Sequence, residues 1–118
     1  MSTTSDNLFP GSTRGLFNKQ AALTPETSDA WRTFSQTVFK PGALDVRTKQ
    51  LIALAVGHAT RCPYCIRAHT AQALKAGASA KEISEAIWIA AEMSAGAASA
   101  HAAIAFDEME RQGYGENR

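Results

Sequence analysis

Apolar residues recur at three- and four-residue spacing along most of this chain of 118 residues, which is the pattern of amphipathic helices. No stretch alternates apolar and polar residues as a strand would, and β-branched residues do not cluster. The pattern predicts an all-α fold, a single-domain helical bundle of about five to six helices. We expect this domain at residues 23–113, behind an irregular N-terminal arm at 1–22 and ahead of a flexible tail at 114–118.

Capping residues mark the first two helices. Thr24 followed by Pro25 predicts the start of a helix that runs to about Phe39. Asp45 is a favourable N-cap for a second helix, which is apolar nearly all round and is therefore expected to be buried on most faces.

The remaining helices have similar signals. Pro63 suits the first position of a helix and disfavours helical geometry at the residue before it, so Cys62 is the expected N-cap of a third helix. This helix is expected to run to Ala76, with Gly77 as its C-cap residue. A capping box at 79–82 opens the next helix, in which Gly96 is expected to mark a break.

Charge and hydropathy narrow the possible partners. Lys plus Arg number 12 against 11 for Asp plus Glu, and no basic cluster appears, so we expect no nucleic-acid partner. The N-terminus lacks the basic and apolar regions of a secretory signal, and the apolar run 51–57 is too short to span a bilayer. We therefore expect a soluble, cytoplasmic protein that does not associate with membranes.

The two cysteines, Cys62 and Cys65, form a C-x-x-C motif, and His69 follows four residues after the second. Such a pair can close a small disulfide ring, and a residue four positions further along a helix lies on the same face. The free N–H groups and the dipole of a helix N-terminus stabilise a thiolate. In a reducing cytosol this combination favours a redox role, with His69 as general base or proton shuttle.

The same residues have other possible roles. The cysteines are alternatively two small buried apolar residues, or part of a zinc site completed by a second histidine, His58 or His101. His58, four residues before Cys62, is either a half-exposed residue at a helix end or a member of the site. For His101 we favour packing or an interface hydrogen bond, and we predict neither a bound metal nor a cofactor.

Two segments resemble a known family. Residues 48–56, TKQLIALAV, and residues 62–70, CPYCIRAHT, are similar to the alkyl hydroperoxidase D-like, or carboxymuconolactone decarboxylase-like, family, and the likeness continues through 73–78 and 79–93. The resemblance implies an all-helical subunit that assembles as homo-oligomers, trimers or hexamers. It also implies thiol-dependent reduction of hydroperoxides with a dithiol reductant, which in the best-known members is a lipoyl-bearing protein.

Carried over residue by residue, the resemblance assigns Cys65 as the peroxidatic cysteine, Cys62 as the resolving cysteine and His69 as the histidine of a proton relay. Helix capping alone favours Cys62 as the more activated thiol, so the two assignments differ. We follow the family for attack on peroxide and keep Cys62 for exchange with the reductant.

Gln50 is a departure from the family pattern. The relay of the family starts from a glutamate twelve residues before the first cysteine, and Gln50 occupies that position here. Glutamine cannot take up a proton at neutral pH. Our hypothesis is that Gln50 orients a water or hydrogen-bonds Cys62, while His58 exchanges the proton in place of the carboxylate.

The sequence therefore predicts an enzyme, a thiol-dependent peroxidase or disulfide oxidoreductase that acts on alkyl hydroperoxides. One alternative is a decarboxylase-like lyase that uses His69 and His58 as acid and base. The other is non-catalytic, either a redox-sensing module or a zinc-stapled oligomer.

Overall fold

The structure is a computed structural model that describes residues 8–9 and 13–115. Five α-helices follow one another within these residues, and no strand occurs among them, which confirms the all-α prediction. None of the described helices is both long and apolar enough to cross a bilayer. In chain order the helices are α1 (Arg14–Leu23), α2 (Pro25–Phe39), α3 (Val46–Ala59), α4 (Pro63–Lys75) and α5 (Ala80–Arg111).

The chain divides into two compact units, residues 1–49 and 50–118, with the boundary inside α3. In the first unit α1 packs against α2. The ammonium group of Lys49 donates to the carbonyl oxygens of Val38 and Lys40 at 2.8 and 2.6 Å. These two bonds fasten the C-terminal end of α2 to the first turn of α3.

The N-terminal arm is partly helical. Residues Arg14–Leu23 form α1, so the expectation of irregular structure over 1–22 is wrong for this stretch. The segment contains Leu, Lys, Gln and Ala, which all favour helix. None of its residues is buried, and its few apolar residues do not form the continuous stripe from which a helix is usually predicted. Residues 1–7, 10–12 and 116–118 of the expected arm and tail lie outside the described residues.

Helices α2 and α3 begin where the sequence predicts. The bounds of α2 agree with the prediction, although the hydroxyl of Thr24 donates to the carbonyl of Gln20 at 3.1 Å instead of capping the helix. At α3 the side-chain oxygen of Asp45 accepts the N–H of Thr48 at 2.8 Å. This hydrogen bond holds the pKa of the Asp45 carboxyl below its usual range.

Helix α5 begins with the predicted capping box. The Ser79 hydroxyl accepts the N–H of Glu82 at 3.1 Å, and the Glu82 carboxylate accepts the N–H of Ser79 at 2.8 Å. The helix then runs unbroken through Gly96, so the break expected there is wrong. A single glycine costs a helix only about 1 kcal/mol relative to alanine, and the neighbouring residues are mostly alanines, the best helix formers.

The second unit buries mostly small side chains. Leu54 is fully buried, and the other buried apolar residues are Ala73, Ala78, Ala86 and Ala90. Small residues at these positions let helices approach one another closely.

Helix α3 is buried along one stripe. Gln50, Leu54 and Gly57 are buried, whereas Ile52 and Val56 are 48% and 53% exposed. The expectation that α3 is buried on most faces is therefore wrong for the single chain. Apolar composition makes burial favourable, but a face is buried only where another element covers it.

Helices α3, α4 and α5 end in the same hydrogen-bond pattern, in which a residue of left-handed conformation follows the last turn. In α4 and α5 that residue is a glycine, Gly77 at φ 94° and Gly113 at φ 89°. In α3 it is Arg61, at φ 57°. The N–H of Cys62 then returns to the carbonyl of Gly57 at 3.0 Å, which fixes the cysteine directly after the end of α3.

Candidate redox site

The two cysteines lie at the start of α4, where they are joined by a disulfide with their Cα atoms 5.2 Å apart. Cys62 is the N-cap of α4, as the sequence predicts, and Pro63 is the first helical residue. The Cys62 sulfur accepts the backbone N–H of Cys65 at 3.2 Å. Both cysteines are half-buried. This N-terminus therefore presents N–H donors to sulfur, which is the environment that stabilises a thiolate once the bond is reduced.

Helix α3 comes very close to α4 at Cys65. A Cβ atom added to Gly57 would lie 3.1 Å from the Cβ of Cys65 and 3.5 Å from its carbonyl carbon. Such a Cβ contact is shorter than ordinary van der Waals separation, so only glycine fits here without displacing a neighbour. Gly57 thus sets how closely the cysteine pair is held against α3.

His69 is joined to α3 by a hydrogen bond with Gln50. The ring nitrogen Nδ1 of His69 lies 2.7 Å from the side-chain oxygen of Gln50. An amide oxygen only accepts, so Nδ1 carries the hydrogen and donates, and Nε2 is the acceptor of the neutral ring. Gln50 is 6% exposed and His69 is half-buried, so this partly buried bond fixes both the orientation and the tautomer of the His69 ring. The structure therefore places the Gln50 side chain against His69, whereas one hypothesis from the sequence was a hydrogen bond to Cys62.

His58 has a different partner. Its Nδ1 donates to the carbonyl of Leu54 at 2.9 Å, one turn earlier in α3. The His58 ring also lines a cleft of about 270 Å³ together with Arg61 and residues of α5. Its use in place of the family glutamate stays a prediction.

His101, the other histidine considered as a zinc ligand, lies in the exposed C-terminal half of α5. Within residues 8–9 and 13–115, no group of three or more His, Cys, Asp or Glu side chains converges as a metal site.

The arrangement of these helices has a counterpart in known proteins. Residues 25–108 match the sequence profile of the carboxymuconolactone decarboxylase family. The chain belongs to this family. The match includes all of α2, α3 and α4 and most of α5, so it contains both cysteines, Gln50 and His69.

Relatives of the chain support the same assignment. A protein of Paracoccus denitrificans described as uncharacterized protein 4 in the cox locus is 54% identical, over 71% of this chain and 82% of that protein. The crystal structure of a carboxymuconolactone decarboxylase family protein from Legionella pneumophila is 33% identical, with a TM-score of 0.66 over 82% of this chain and 87% of that chain.

A family protein from Thermotoga maritima, whose description proposes an involvement in the antioxidative response, is also 33% identical. Its TM-score is 0.56, over 73% of this chain and 91% of that chain. These comparisons establish the family and its helical fold.

Sequence reasoning missed two residues of this family member that shape the site. Gly57 stands inside an apolar helix, where a lone glycine is a recognisable sign of close backbone approach. Arg61 occupies the position after a helix where glycine is usual, as Gly77 shows after α4. The sequence alone does not reveal this equivalence, because it depends on knowing where α3 ends.

Proposed function

We propose that the protein is a thiol-dependent peroxidase that reduces organic hydroperoxides through the Cys62–Cys65 pair. The observation that carries the proposal is the cysteine pair at the N-terminus of α4, already close enough to be bonded, with His69 one turn further along the same helix. A redox function also agrees with the description of the relative from Thermotoga maritima.

The proposed cycle begins with both cysteines reduced. His69 takes the proton of the Cys65 thiol, and the thiolate attacks one oxygen of the hydroperoxide. A sulfur–oxygen bond forms, the oxygen–oxygen bond breaks, and the alkoxide leaves as an alcohol with the proton from His69, so that Cys65 becomes a sulfenic acid. Cys62 then attacks this sulfur and water leaves, which forms the disulfide. A dithiol reductant, such as a lipoyl-bearing protein, reopens the bond by exchange and is itself oxidised.

Gln50 has a positioning role in this cycle. Its amide oxygen holds the N–H of His69, which directs the other ring nitrogen to act as the base. A glutamate at the same position would add a negative charge that stabilises the protonated ring. The neutral amide fixes the ring without that charge, so proton transfer through His69 is expected to be slower here than with a glutamate.

We also propose that the protein is cytoplasmic, because reducing thiols in the cytoplasm would return the cysteine pair to its active dithiol form.

The test is to reduce the protein, remove the reductant and mix it with cumene hydroperoxide. We expect two thiols to disappear for each alcohol formed. The Cys65→Ser variant should consume no peroxide, while the exposed-arginine variant Arg67→Ala, a control on the same helix, should behave as wild type. Thiols that persist in excess peroxide would contradict the proposal. In a second assay that contains an excess of a dithiol reductant, a disulfide that forms without repeated peroxide turnover would favour a redox sensor instead.

We further propose that the chain assembles as a homo-oligomer through α5. Every residue from Ala91 to Arg111 is exposed. The buried stripe of α5 continues into this region at three- and four-residue spacing, and no other described element of the chain covers it there. The stripe consists of Ala86, Ala90, Met93, Ala97, Ala100 and Ile104.

Large exposed side chains lie on and beside this stripe. Ile89, Met93 and Ile104 are between 62% and 66% exposed. At roughly 200 Å² for a fully exposed large side chain, they present on the order of 400 Å², about half of the roughly 800 Å² that each partner buries in a standard interface, and the alanines of the stripe add to it. A second copy supplies the same apolar stripe, so self-association buries both. Trp88 and Phe106 lie on the opposite side of α5 and are not counted in this contact.

Light scattering after size-exclusion chromatography tests this assembly. We expect the wild type to form a trimer or hexamer and Ile104→Asp to dissociate, because a charge in the stripe would be buried without a partner. Ala102→Asp, on the opposite side of α5, is the control that should leave the oligomer intact. A monomeric wild type would contradict the assembly and would leave the peroxidase proposal standing.

A further inference from the structure

The cleft beside His58 is a chemical feature that the redox cycle does not use. It lies in the second unit, between the C-terminal end of α3 and the first half of α5, is open to solvent on one side and has a volume of about 270 Å³. Its polar lining consists of His58, Arg61 and Ser94, and its apolar wall includes Ile87, Ala90 and Ala91. No carboxylate is among the described residues that line it.

Arg61 holds a backbone conformation that disfavours any side chain. Its φ of 57° lies in the left-handed region, where Cβ crowds the following carbonyl oxygen. The corresponding positions after α4 and α5 are occupied by Gly77 and Gly113, which adopt this conformation without strain. The Arg61 side chain lines the cleft and has no hydrogen-bond or ion-pair partner among the described residues. An arginine in a strained backbone conformation, with no partner for its guanidinium among the described residues, indicates that the side chain serves a function.

The other two polar groups are hydrogen-bond acceptors. Nδ1 of His58 donates a hydrogen bond to the carbonyl oxygen of Leu54 at 2.9 Å, so Nε2 carries the lone pair of the neutral ring and can accept. The hydroxyl of Ser94 donates to the carbonyl of Ala90 at 2.8 Å, which leaves its oxygen as an acceptor. The cleft therefore combines one cationic donor, two acceptors and an apolar wall.

We propose that this cleft binds a small hydroxy acid. The carboxylate pairs with Arg61, whose planar guanidinium can hold two oxygens at once. The hydroxyl of the ligand donates to Nε2 of His58, and its hydrocarbon chain lies against Ile87 and the alanines. At roughly 30 Å³ for each water-sized group, the cleft has room for about nine non-hydrogen atoms, which is the size of 3-hydroxyhexanoate.

Calorimetric titration of the full-length protein with three probes tests the proposal. We expect 3-hydroxyhexanoate to bind more tightly than hexanoate, which lacks the hydroxyl. Hexane-1,3-diol should bind roughly ten-fold more weakly or worse, because it lacks the charge-assisted hydrogen bonds. Equal affinity for the diol and the hydroxy acid would overturn the proposal.

Arg61→Gly separates binding from folding. Glycine relieves the strained backbone, so the melting temperature should stay the same or rise, while affinity for 3-hydroxyhexanoate falls at least ten-fold. Arg67→Ala removes another exposed arginine outside the cleft and should bind as wild type. Unchanged affinity in Arg61→Gly, or an equal loss in Arg67→Ala, would contradict a specific site.

A substitution at His58 tests its proposed contact with the hydroxyl of the ligand. His58→Asn keeps a side-chain N–H for the Leu54 carbonyl but has no Nε2 acceptor, so it should reduce the preference for 3-hydroxyhexanoate over hexanoate. A preference that survives this substitution would contradict the assigned contact. Binding needs neither cysteine, so the double variant Cys62→Ser, Cys65→Ser should titrate as wild type whether or not the protein is a peroxidase.

Discussion

Replacing Gly57 by alanine tests how closely α3 and α4 approach beside the disulfide. The new methyl group would lie 3.1 Å from the Cβ of Cys65, and 3.5 and 3.6 Å from backbone atoms of Cys65 and Ile66. The first of these distances forces a displacement of a few tenths of an ångström. Overpacking of this kind costs about 1–3 kcal/mol, and the better helix propensity of alanine returns about 0.5–1 kcal/mol. We therefore expect a net loss of about 1 kcal/mol in the free energy of unfolding.

Gly96→Ala is the matched control, because Gly96 also lies inside a helix. A Cβ there would have only the carboxylate of Glu92 within 4 Å, at 3.7 Å. This variant should gain about 0.5–1 kcal/mol. Both substitutions remove similar freedom from the unfolded chain, so the difference between the two variants isolates the contact with Cys65.

Urea unfolding of the oxidised protein at a fixed protein concentration measures both free energies, with unchanged slopes as evidence that only stability has altered. A Gly57→Ala variant that is stabilised as much as Gly96→Ala would refute the close approach at Cys65.

Two further predictions concern Gln50 and Asp45. Gln50→Glu should accelerate peroxide consumption, up to roughly 100-fold, because a carboxylate can stabilise the protonated His69 ring and accept its proton. Stopped-flow kinetics checks this, and an unchanged rate would mean that the Gln50–His69 bond does not govern proton transfer. The pKa of Asp45 is lowered by the hydrogen bond from Thr48, so its contribution to stability is present at neutral pH and is lost as pH falls through the lowered pKa. The stability difference between wild type and Asp45→Asn should therefore shrink as the pH is lowered below about 4, and a difference that is constant with pH would contradict this.

Local signals in the sequence predict most helix starts of this fold correctly. The bounds of α2, the capping of α3 by Asp45 and the box at Ser79 all depend on residues within three or four positions of one another. Such interactions need no information about tertiary structure. The helix Arg14–Leu23 was missed because it buries no residue, and the break at Gly96 was wrong because one glycine does not outweigh the surrounding alanines.

The candidate site was predicted in part. The C-x-x-C spacing and the proline after Cys62 predict the capped pair, because both depend on neighbouring residues. The bond between Gln50 and His69 joins residues 19 positions apart, and no local pattern specifies it. The left-handed backbone conformation of Arg61 is likewise set by the way in which α3 ends, and the identity of the arginine side chain does not predict it.

The central claim is that Cys65 is the residue that attacks peroxide. Intact-protein mass spectrometry of reduced Cys62→Ser after one equivalent of hydroperoxide tests it most directly, because this variant cannot form the disulfide and keeps the sulfenic acid on Cys65. We expect Cys62→Ser to gain the mass of one oxygen atom, located on Cys65, and Cys65→Ser to gain none. Oxygen found on Cys62 in the Cys65→Ser variant, or on neither cysteine, would contradict the account.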